Sequence, residues 1–356
     1  MNYKYPLNLT LLFQILEIQS ESNNCLDMQA FLWDYVEIRG WQISCDNMGN
    51  LYIVKGTAEH YPCVVAHMDT VHNIHKFGSI EPVIVGKTRI TGINPLTMRQ
   101  TGIGGDDKCG IYAALECLNH LDYCKVAFFV DEEIGCVGSY RCDLNFFTNV
   151  RFVLQADRRG KSDFVNDICG PISSDSFQKD VLEYMDKYGF EFADGMMTDV
   201  MALSNQDVGV SCANLSAGYY NPHQDHEYIE MSDLLNTTNM MLQICEELHD
   251  VYSFIAPPVG YSHYTGWQSN TNPKSWYDKV WPDDKSKPDD NPFVDEMSLN
   301  VGLDKPISQM SDEEWIAFNN QFPEDDEDLK NTIDEELERY EHWFDHANTS
   351  PRNPYV

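Results

Sequence analysis

Five short polar segments interrupt the apolar runs of this chain, and they constrain its fold more than any other feature. They are VVAHMDTVH, GIGGDDKCG, FFVDEEIG, FVLQAD and YYNPHQDHEY. Three of them stand at the end of an apolar run that predicts a strand, and strand ends are where open α/β sheets place their chemistry. Two histidines and several carboxylates, each at the end of a separate element, favour a site for two metal ions. The expected ligands are His67, Asp106, Glu133, Asp157 and His223.

Residues 1–250 alternate helical and strand patterns. Helices are predicted at residues 7–19, 27–39, 107–121, 173–188 and 232–248, hairpins at 41–54 and 82–91, and further strands at 63–66, 126–130, 152–154 and 208–215. Several of these strand runs are apolar at every position, which is typical of strands buried on both faces. The predicted fold is therefore α/β, with a mixed, largely parallel central sheet covered by helices on both faces.

The composition changes near residue 250. Five of the seven tryptophans lie in residues 251–356, together with 22 acidic and 8 basic side chains. We therefore predict a catalytic domain over residues 1–250 and an acidic, Trp-rich C-terminal extension over residues 251–356, partly ordered by its aromatic residues. Two interpretations of the extension stay open. It wraps the first domain or docks a protein partner, or it is a flexible acidic tail.

Overall charge and cysteine content limit the possible partners and compartment. A formal charge of −33 at pH 7 argues against nucleic acid or an anionic membrane as a partner. No apolar run reaches the length of a membrane span, and no cleavage site follows the N-terminal apolar stretch. The eleven cysteines are an odd number without C-x₂-C spacing, which fits a reducing compartment. We therefore expect a soluble, cytoplasmic protein.

The spacing within the segments predicts individual roles. His67 and Asp69 lie two residues apart on an extended chain, so both side chains point to the same side. His67 can then bind a metal while the Asp69 carboxylate accepts the proton of its other ring nitrogen. Glu132 and Glu133 project in different directions, which favours one as a metal ligand and the other as an acid–base group. The two oxygens of Asp106 can hold a metal pair about 3.5–4 Å apart.

Several of these residues have competing explanations. Asp157 precedes two arginines and could form a surface ion pair with them, which would contribute little energy. His226 competes with His223 because it lies next to a glutamate in the same segment. His72 and His75 do not fit the spacing of a ligand and are interpreted as loop residues.

Taken in order, HMDTV, GGDDKCG and DEEIG resemble the motifs of the co-catalytic zinc exopeptidases. That superfamily includes peptidase T, carboxypeptidase G, acetylornithine deacetylase and the single-domain zinc aminopeptidases. The resemblance implies that His67 and Asp157 complete one zinc site and Glu133 and His223 the other, with Asp106 bridging the two.

The same resemblance, which covers about residues 7–250, also implies catalytic roles and cofactors. Glu132 would be the general base that deprotonates the attacking water and later passes the proton to the leaving amine, and Asp69 would orient His67. The cofactors would be two divalent ions, zinc or, with the same oxygen and nitrogen ligands, cobalt or manganese.

One departure from the family concerns its lid. Peptidase T-like members insert a lid or dimerisation domain between the aspartate and the last histidine ligand. Only 65 residues lie between Asp157 and His223, too few for another domain besides the expected helix and strand. We therefore predict a lid-less catalytic domain.

The function that this resemblance implies is hydrolysis of short peptides, by an aminopeptidase or a di- or tripeptidase. Two alternatives stay open. One is an N-acyl amino acid deacylase with the same metal centre. The other is a non-catalytic binding or structural protein that retains the fold.

Overall fold

The computed structural model describes residues 3–72 and 80–256. Apart from its first six residues, the predicted C-terminal extension lies outside the described residues, and so does His75. The division into two domains near residue 250 therefore stays a prediction.

The described residues form six α-helices and thirteen strands, besides two short 3₁₀ helices. The helices are α1 (Leu9–Glu17), α2 (Leu26–Ile38), α3 (Gly105–His120), α4 (Asp175–Tyr188), α5 (Asp199–Asn205) and α6 (Met231–Glu247). The strands are β1 (Gln42–Cys45), β2 (Leu51–Lys55), β3 (Tyr61–His67), β4 (Glu81–Val85), β5 (Arg89–Asn94), β6 (Arg99–Thr101), β7 (Cys124–Phe129), β8 (Val150–Arg158), β9 (Asp163–Asp167), β10 (Glu191–Asp194), β11 (Cys212–Ser216), β12 (Tyr219–Tyr220) and β13 (Tyr228–Glu230).

The central sheet has eight strands in the order β1-β2-β7-β3-β8-β11-β9-β10. Its four middle strands, β7, β3, β8 and β11, run parallel. The β1–β2, β2–β7 and β9–β11 pairs are antiparallel. Every residue of β3 and of β7 is buried, as the uninterrupted apolar runs predict.

Helices cover both faces of this sheet. Along β3, Val64 and Ala66 belong to the larger apolar cluster, which contains the buried sides of α1, α3 and α6. Cys63 and Val65 belong to a second cluster with Val200 and other apolar residues of α5. Because neighbouring strand residues point to opposite faces, the two clusters lie on opposite sides of the sheet. The predicted α/β fold with a mixed central sheet is confirmed.

A second, five-stranded antiparallel sheet brings distant segments together. Its order is β12-β13-β5-β4, and β6 pairs with β5. The predicted hairpin at residues 82–91 is the β4–β5 pair. Ile229 of β13 lies opposite Ile90 of β5, so the loop that precedes β13 lies beside the chain that leads into α3.

The segment between Asp157 and His223 contains elements that the sequence did not predict: β9, β10, α5 and β12. Strand β10 lies at the edge of the sheet and is mostly exposed, so it has no apolar pattern, and α5 has only seven residues. The predicted strand at residues 208–215 begins later, at Cys212. All these elements and α4 belong to the two sheets or their helices, so the described segment between Asp157 and His223 contains no inserted lid domain, as predicted.

All eleven cysteines lie in the described residues and none is in a disulfide. Eight of them are buried and serve as small apolar residues. Within residues 3–72 and 80–256, none of the helices has both the length and the apolar character needed to cross a bilayer.

Candidate metal centre

The five predicted ligands come from five different elements. His67 is the last residue of β3, Glu133 follows β7, and Asp157 lies near the end of β8. These three strands are parallel neighbours, so their carboxyl ends meet at one edge of the sheet. Asp106 lies in the first turn of α3, and His223 lies in the loop between β12 and β13.

The structure brings all five side chains together in two groups that share Asp106. In the first, His67 Nε2 lies 3.2 Å from Asp106 Oδ1 and 3.5 Å from Asp157 Oδ1. In the second, His223 Nε2 lies 3.3 Å from Asp106 Oδ2 and 3.1 Å from Glu133 Oε2. Each oxygen of Asp106 therefore faces a different histidine. His223, rather than His226, supplies the second imidazole.

The charge of this region fits bound cations. Further carboxylates are buried around the two groups, namely Asp69, Asp107, Asp199 and Glu227. Lys108 is buried beside them, but its Nζ donates to the backbone oxygens of Leu16 and Ile103. The buried Glu133 Oε1 accepts no hydrogen bond. Burial of a carboxylate costs several kcal/mol unless its charge is neutralised. Two divalent ions would supply that neutralising charge, and imidazole and carboxylate groups are ligands that such ions accept.

Asp107 also lies close enough to join a ligand group with His67 and Asp157. However, its Oδ2 accepts the His67 backbone N–H at 3.1 Å and its Oδ1 accepts the Gly110 N–H at 3.0 Å. Both oxygens of Asp107 are thus used by the backbone. Asp106, by contrast, has one oxygen that faces each of the two histidines.

The contact between His67 and Asp69 differs from the predicted one. His67 Nδ1 lies 2.8 Å from the Asp69 backbone oxygen, against 3.5 Å from its carboxylate. The carboxylate accepts instead from the Ser22 hydroxyl at 2.7 Å and from the N–H groups of Glu132 at 3.0 Å and Glu133 at 3.3 Å. Asp69 therefore contacts His67 through its carbonyl, and its carboxylate binds the turn that carries both glutamates.

Glu132 lies beside the two groups and outside their closest contacts. Its Oε2 is 3.9 Å from His67 Nε2, and its Oε1 accepts the Cys136 thiol at 3.4 Å. Burial raises the pKa of the Glu132 carboxyl well above its usual range, and the nearby Asp157 carboxylate adds to the rise. A carboxyl of this kind takes up a proton more readily than a solvated one, as an acid–base group must.

Asp157 is held by neutral donors. Its Oδ2 accepts the Thr198 hydroxyl at 2.9 Å and the Gln155 amide at 3.3 Å, and its Oδ1 accepts the Tyr219 hydroxyl at 3.3 Å. Arg158 pairs with Asp163 at 3.0 Å, and the Asp157 side chain is only 7% exposed, so the alternative of a surface ion pair between Asp157 and the two arginines is wrong. The sequence did not predict the roles of Gln155 or Thr198, whose hydrogen-bonding side chains have no distinctive spacing.

His72 lies in a loop, as predicted, but its side chain makes a contact that the sequence did not indicate. Its Nε2 lies 2.9 Å from Glu227 Oε2, and Glu227 is completely buried. The two residues are 155 positions apart, so no local pattern could have indicated the contact.

In the metal-free protein, burial also raises the pKa of three further carboxyls: to about 7 for Glu133, about 6 for Asp157 and about 7 for Asp199. Unfolded carboxyls titrate near pH 4, so between about pH 4 and 7 the native state binds more protons than the unfolded state. The stability that these protonated carboxyls contribute is therefore complete below about pH 4 and is lost as the pH rises through 7.

We predict that the melting temperature of metal-free protein falls by roughly 5–10 °C between pH 5 and pH 8, as measured by circular dichroism. Glu133→Gln removes one of the three titrating carboxyls and should show a smaller fall. Glu246→Gln changes a surface partner of Lys4, so the melting temperature of this variant should fall as much as that of wild type. If the melting temperature fell equally in wild type and both variants, general charge repulsion, and not the buried carboxyls, would be the cause of the fall.

No family model matches this sequence, and no curated protein matches it. The structure does resemble solved structures of peptidases. Aminopeptidase PepT from Bacillus cereus has a TM-score of 0.57 and 14% identity, with 67% of this chain and 97% of that chain covered. A tripeptidase from Staphylococcus aureus has a TM-score of 0.56 and 13% identity, with 67% and 96% covered.

An aminopeptidase from the archaeon Desulfurococcus kamchatkensis has a TM-score of 0.53 and 13% identity, with 68% of this chain and 95% of that chain covered. At such identities the similarity establishes the fold. The described residues thus share the fold of these solved peptidase structures, as the predicted resemblance implies.

Proposed function

We propose that this chain is a two-metal hydrolase that cleaves short peptides, as an aminopeptidase or a di- or tripeptidase. One observation carries the proposal: two histidines face opposite oxygens of the buried Asp106, and each has a further carboxylate beside it. Solved structures with this fold include proteins named as aminopeptidases and a tripeptidase, which supports the same class of reaction.

The proposed ligands divide into two sets around Asp106. His67 and Asp157 would hold one ion, Glu133 and His223 would hold the other, and Asp106 would be shared between them. When bound, such ions polarise a scissile carbonyl and lower the pKa of water. Zinc is the proposed metal, and cobalt and manganese accept the same donors.

Glu132 is the proposed general base. Its carboxylate takes a proton from the attacking water and passes it to the leaving amine. Burial raises the pKa of this carboxyl, which favours uptake of the proton. The Asp69 carboxylate accepts the Glu132 backbone N–H at 3.0 Å, and the Cys136 thiol donates to Oε1 at 3.4 Å. The first contact holds the Glu132 backbone and the second holds Oε1, which leaves Oε2 available for proton transfer.

A deacylase with the same centre is the second candidate, and substrate profiling separates the two. We expect metal-loaded protein to hydrolyse peptides with a free α-amine at least 10-fold faster than their N-acylated counterparts, and Glu132→Gln to abolish this activity. A preference for acylated substrates would favour the deacylase. No amide hydrolysis in a broad library, with fewer than one bound metal per chain, would favour a non-catalytic protein.

We further propose that the protein works in a reducing compartment such as the cytoplasm. The support is chemical, because all eleven cysteines are free thiols and disulfides persist mainly in oxidising compartments.

A further inference from the structure

Glu227 is a completely buried carboxylate next to the proposed metal centre. Its Oε2 accepts the Gly104 backbone N–H at 2.8 Å and lies 2.9 Å from His72 Nε2. Its Oε1 accepts the Asp106 backbone N–H at 3.1 Å. All three contacts are with donors, and two of them are with the short stretch of backbone that carries Asp106.

The loop between β12 and β13 therefore contacts both the side chain and the backbone of Asp106. His223 of this loop lies 3.3 Å from the Asp106 carboxylate, and Glu227, four residues later, accepts the Asp106 backbone N–H. Strand β13 begins directly after Glu227 and pairs with β5. The Thr91 hydroxyl of β5 donates to the Glu227 carbonyl at 3.3 Å. The second sheet thus fixes the position from which the Glu227 side chain reaches Asp106.

The backbone around Asp106 is shaped for this approach. Gly104 has φ +70°, a conformation that glycine adopts without steric cost. A Cβ at Gly105 would lie 2.7 Å from the Tyr219 Cβ and 3.3 Å from Glu227 Oε1, so glycine leaves the space that the carboxylate occupies. On the other side of Glu227, the His72 ring packs directly on Gly102.

The chemistry of this arrangement requires a carboxylate. A carboxylate only accepts, and its two oxygens satisfy the two N–H groups and the His72 ring nitrogen together. A glutamine of the same shape carries an NH₂ group at one end. In one orientation this NH₂ group would face the Asp106 N–H, and in the other it would face the Gly104 N–H and His72. Two donors would then meet, so at least one N–H group would lose its acceptor.

We propose that Glu227, held in place by His72, is a positioning residue that sets the location of Asp106 and through it the affinity for both metal ions. This inference rests on the proposed function, because it assigns the support of the same centre. Because Glu227 contacts the Asp106 backbone, it acts on the two ions through the shared carboxylate. Its loss therefore weakens both sites together, whereas loss of a ligand that belongs to one site weakens mainly that site.

The test is a competition titration of zinc against a chromophoric chelator, with wild type and Glu227→Gln. We expect both zinc affinities of the variant to fall 10- to 100-fold, the usual effect of losing an outer hydrogen-bond partner of a metal site. Asp157→Asn should weaken mainly one of the two sites. Glu230→Gln is the matched control, since Glu230 lies three residues further on and pairs with Arg89 at 3.1 Å, and it should keep both wild-type affinities.

A folded Glu227→Gln protein with two wild-type affinities would overturn the inference, and so would a loss confined to one site. If circular dichroism shows that Glu227→Gln is unfolded, His72→Phe takes its place, because it keeps a ring on Gly102 and removes the donor to Glu227. Its expected loss is about 3- to 10-fold at both sites, and wild-type affinities would overturn the inference. If the wild-type protein does not bind two ions, the proposed function is contradicted. This outcome is seen in the wild-type titration and does not depend on the variants.

Discussion

Replacement of Glu132 by glutamine is expected to lower kcat by 10²- to 10⁴-fold while two metal ions stay bound, since general acid–base groups contribute about this much. Glutamine keeps the shape of the side chain and cannot take up the proton. Glu132 lies outside the closest contacts of the two ligand groups, with Oε2 3.9 Å from His67 Nε2. The loss should therefore appear in turnover and not in metal content.

Steady-state kinetics on a short peptide and metal analysis of the same sample separate these two effects. Glu246→Gln is the control for removal of a carboxylate, because Glu246 contacts Lys4 and Tyr5 at the surface, and it should keep wild-type turnover. Cys136→Ser keeps a donor to Glu132 Oε1 and should retain most of the activity. A Glu132→Gln protein with more than a tenth of wild-type turnover would exclude Glu132 as the general base.

Replacement of Asp106 by asparagine is expected to remove both ions in one step. Asparagine has one acceptor oxygen, so its NH₂ group would face either His67 or His223 where the carboxylate now presents Oδ1 and Oδ2. Neither site would keep its shared ligand, and the bound metal should fall from two ions per chain to fewer than one. Hydrolysis should fall below detection, measured at metal concentrations that saturate the wild type.

The neighbouring Asp107 supplies the control for this second variant. Its oxygens accept the backbone N–H groups of His67 and Gly110, so Asp107→Asn should lower the melting temperature and retain metal binding in the folded protein. The reverse result, with both ions retained in Asp106→Asn and lost in folded Asp107→Asn, would move the shared position from Asp106 to Asp107.

Much of the central sheet could be predicted because its signals are local. Strands β3 and β7 are buried at every position, and each appears in the sequence as an apolar run that ends in polar residues. The candidate ligands His67 and Glu133 were found because they stand just after such runs. Because β3 and β7 run parallel, their carboxyl ends lie at one edge of the sheet, and the polar segments that follow them meet there.

The parts that could not be predicted depend on contacts between residues far apart in the chain. Strands β12 and β13 have two and three residues, too few for any periodicity, yet they place Glu227 beside Asp106 across 121 positions. The predicted contact between the Asp69 carboxylate and His67 differs from the observed one for another reason. Residue spacing predicts the side on which His67 and Asp69 lie, but the choice between carbonyl and carboxylate depends on the turn at Glu132.

Anomalous diffraction from crystals of zinc-loaded protein, recorded on both sides of the zinc absorption edge, tests the two-metal centre most directly. The predicted result is two peaks per chain, one beside His67 and Asp157 and one beside Glu133 and His223, each next to a different oxygen of Asp106. A single peak, or peaks away from Asp106, would contradict the two-metal centre.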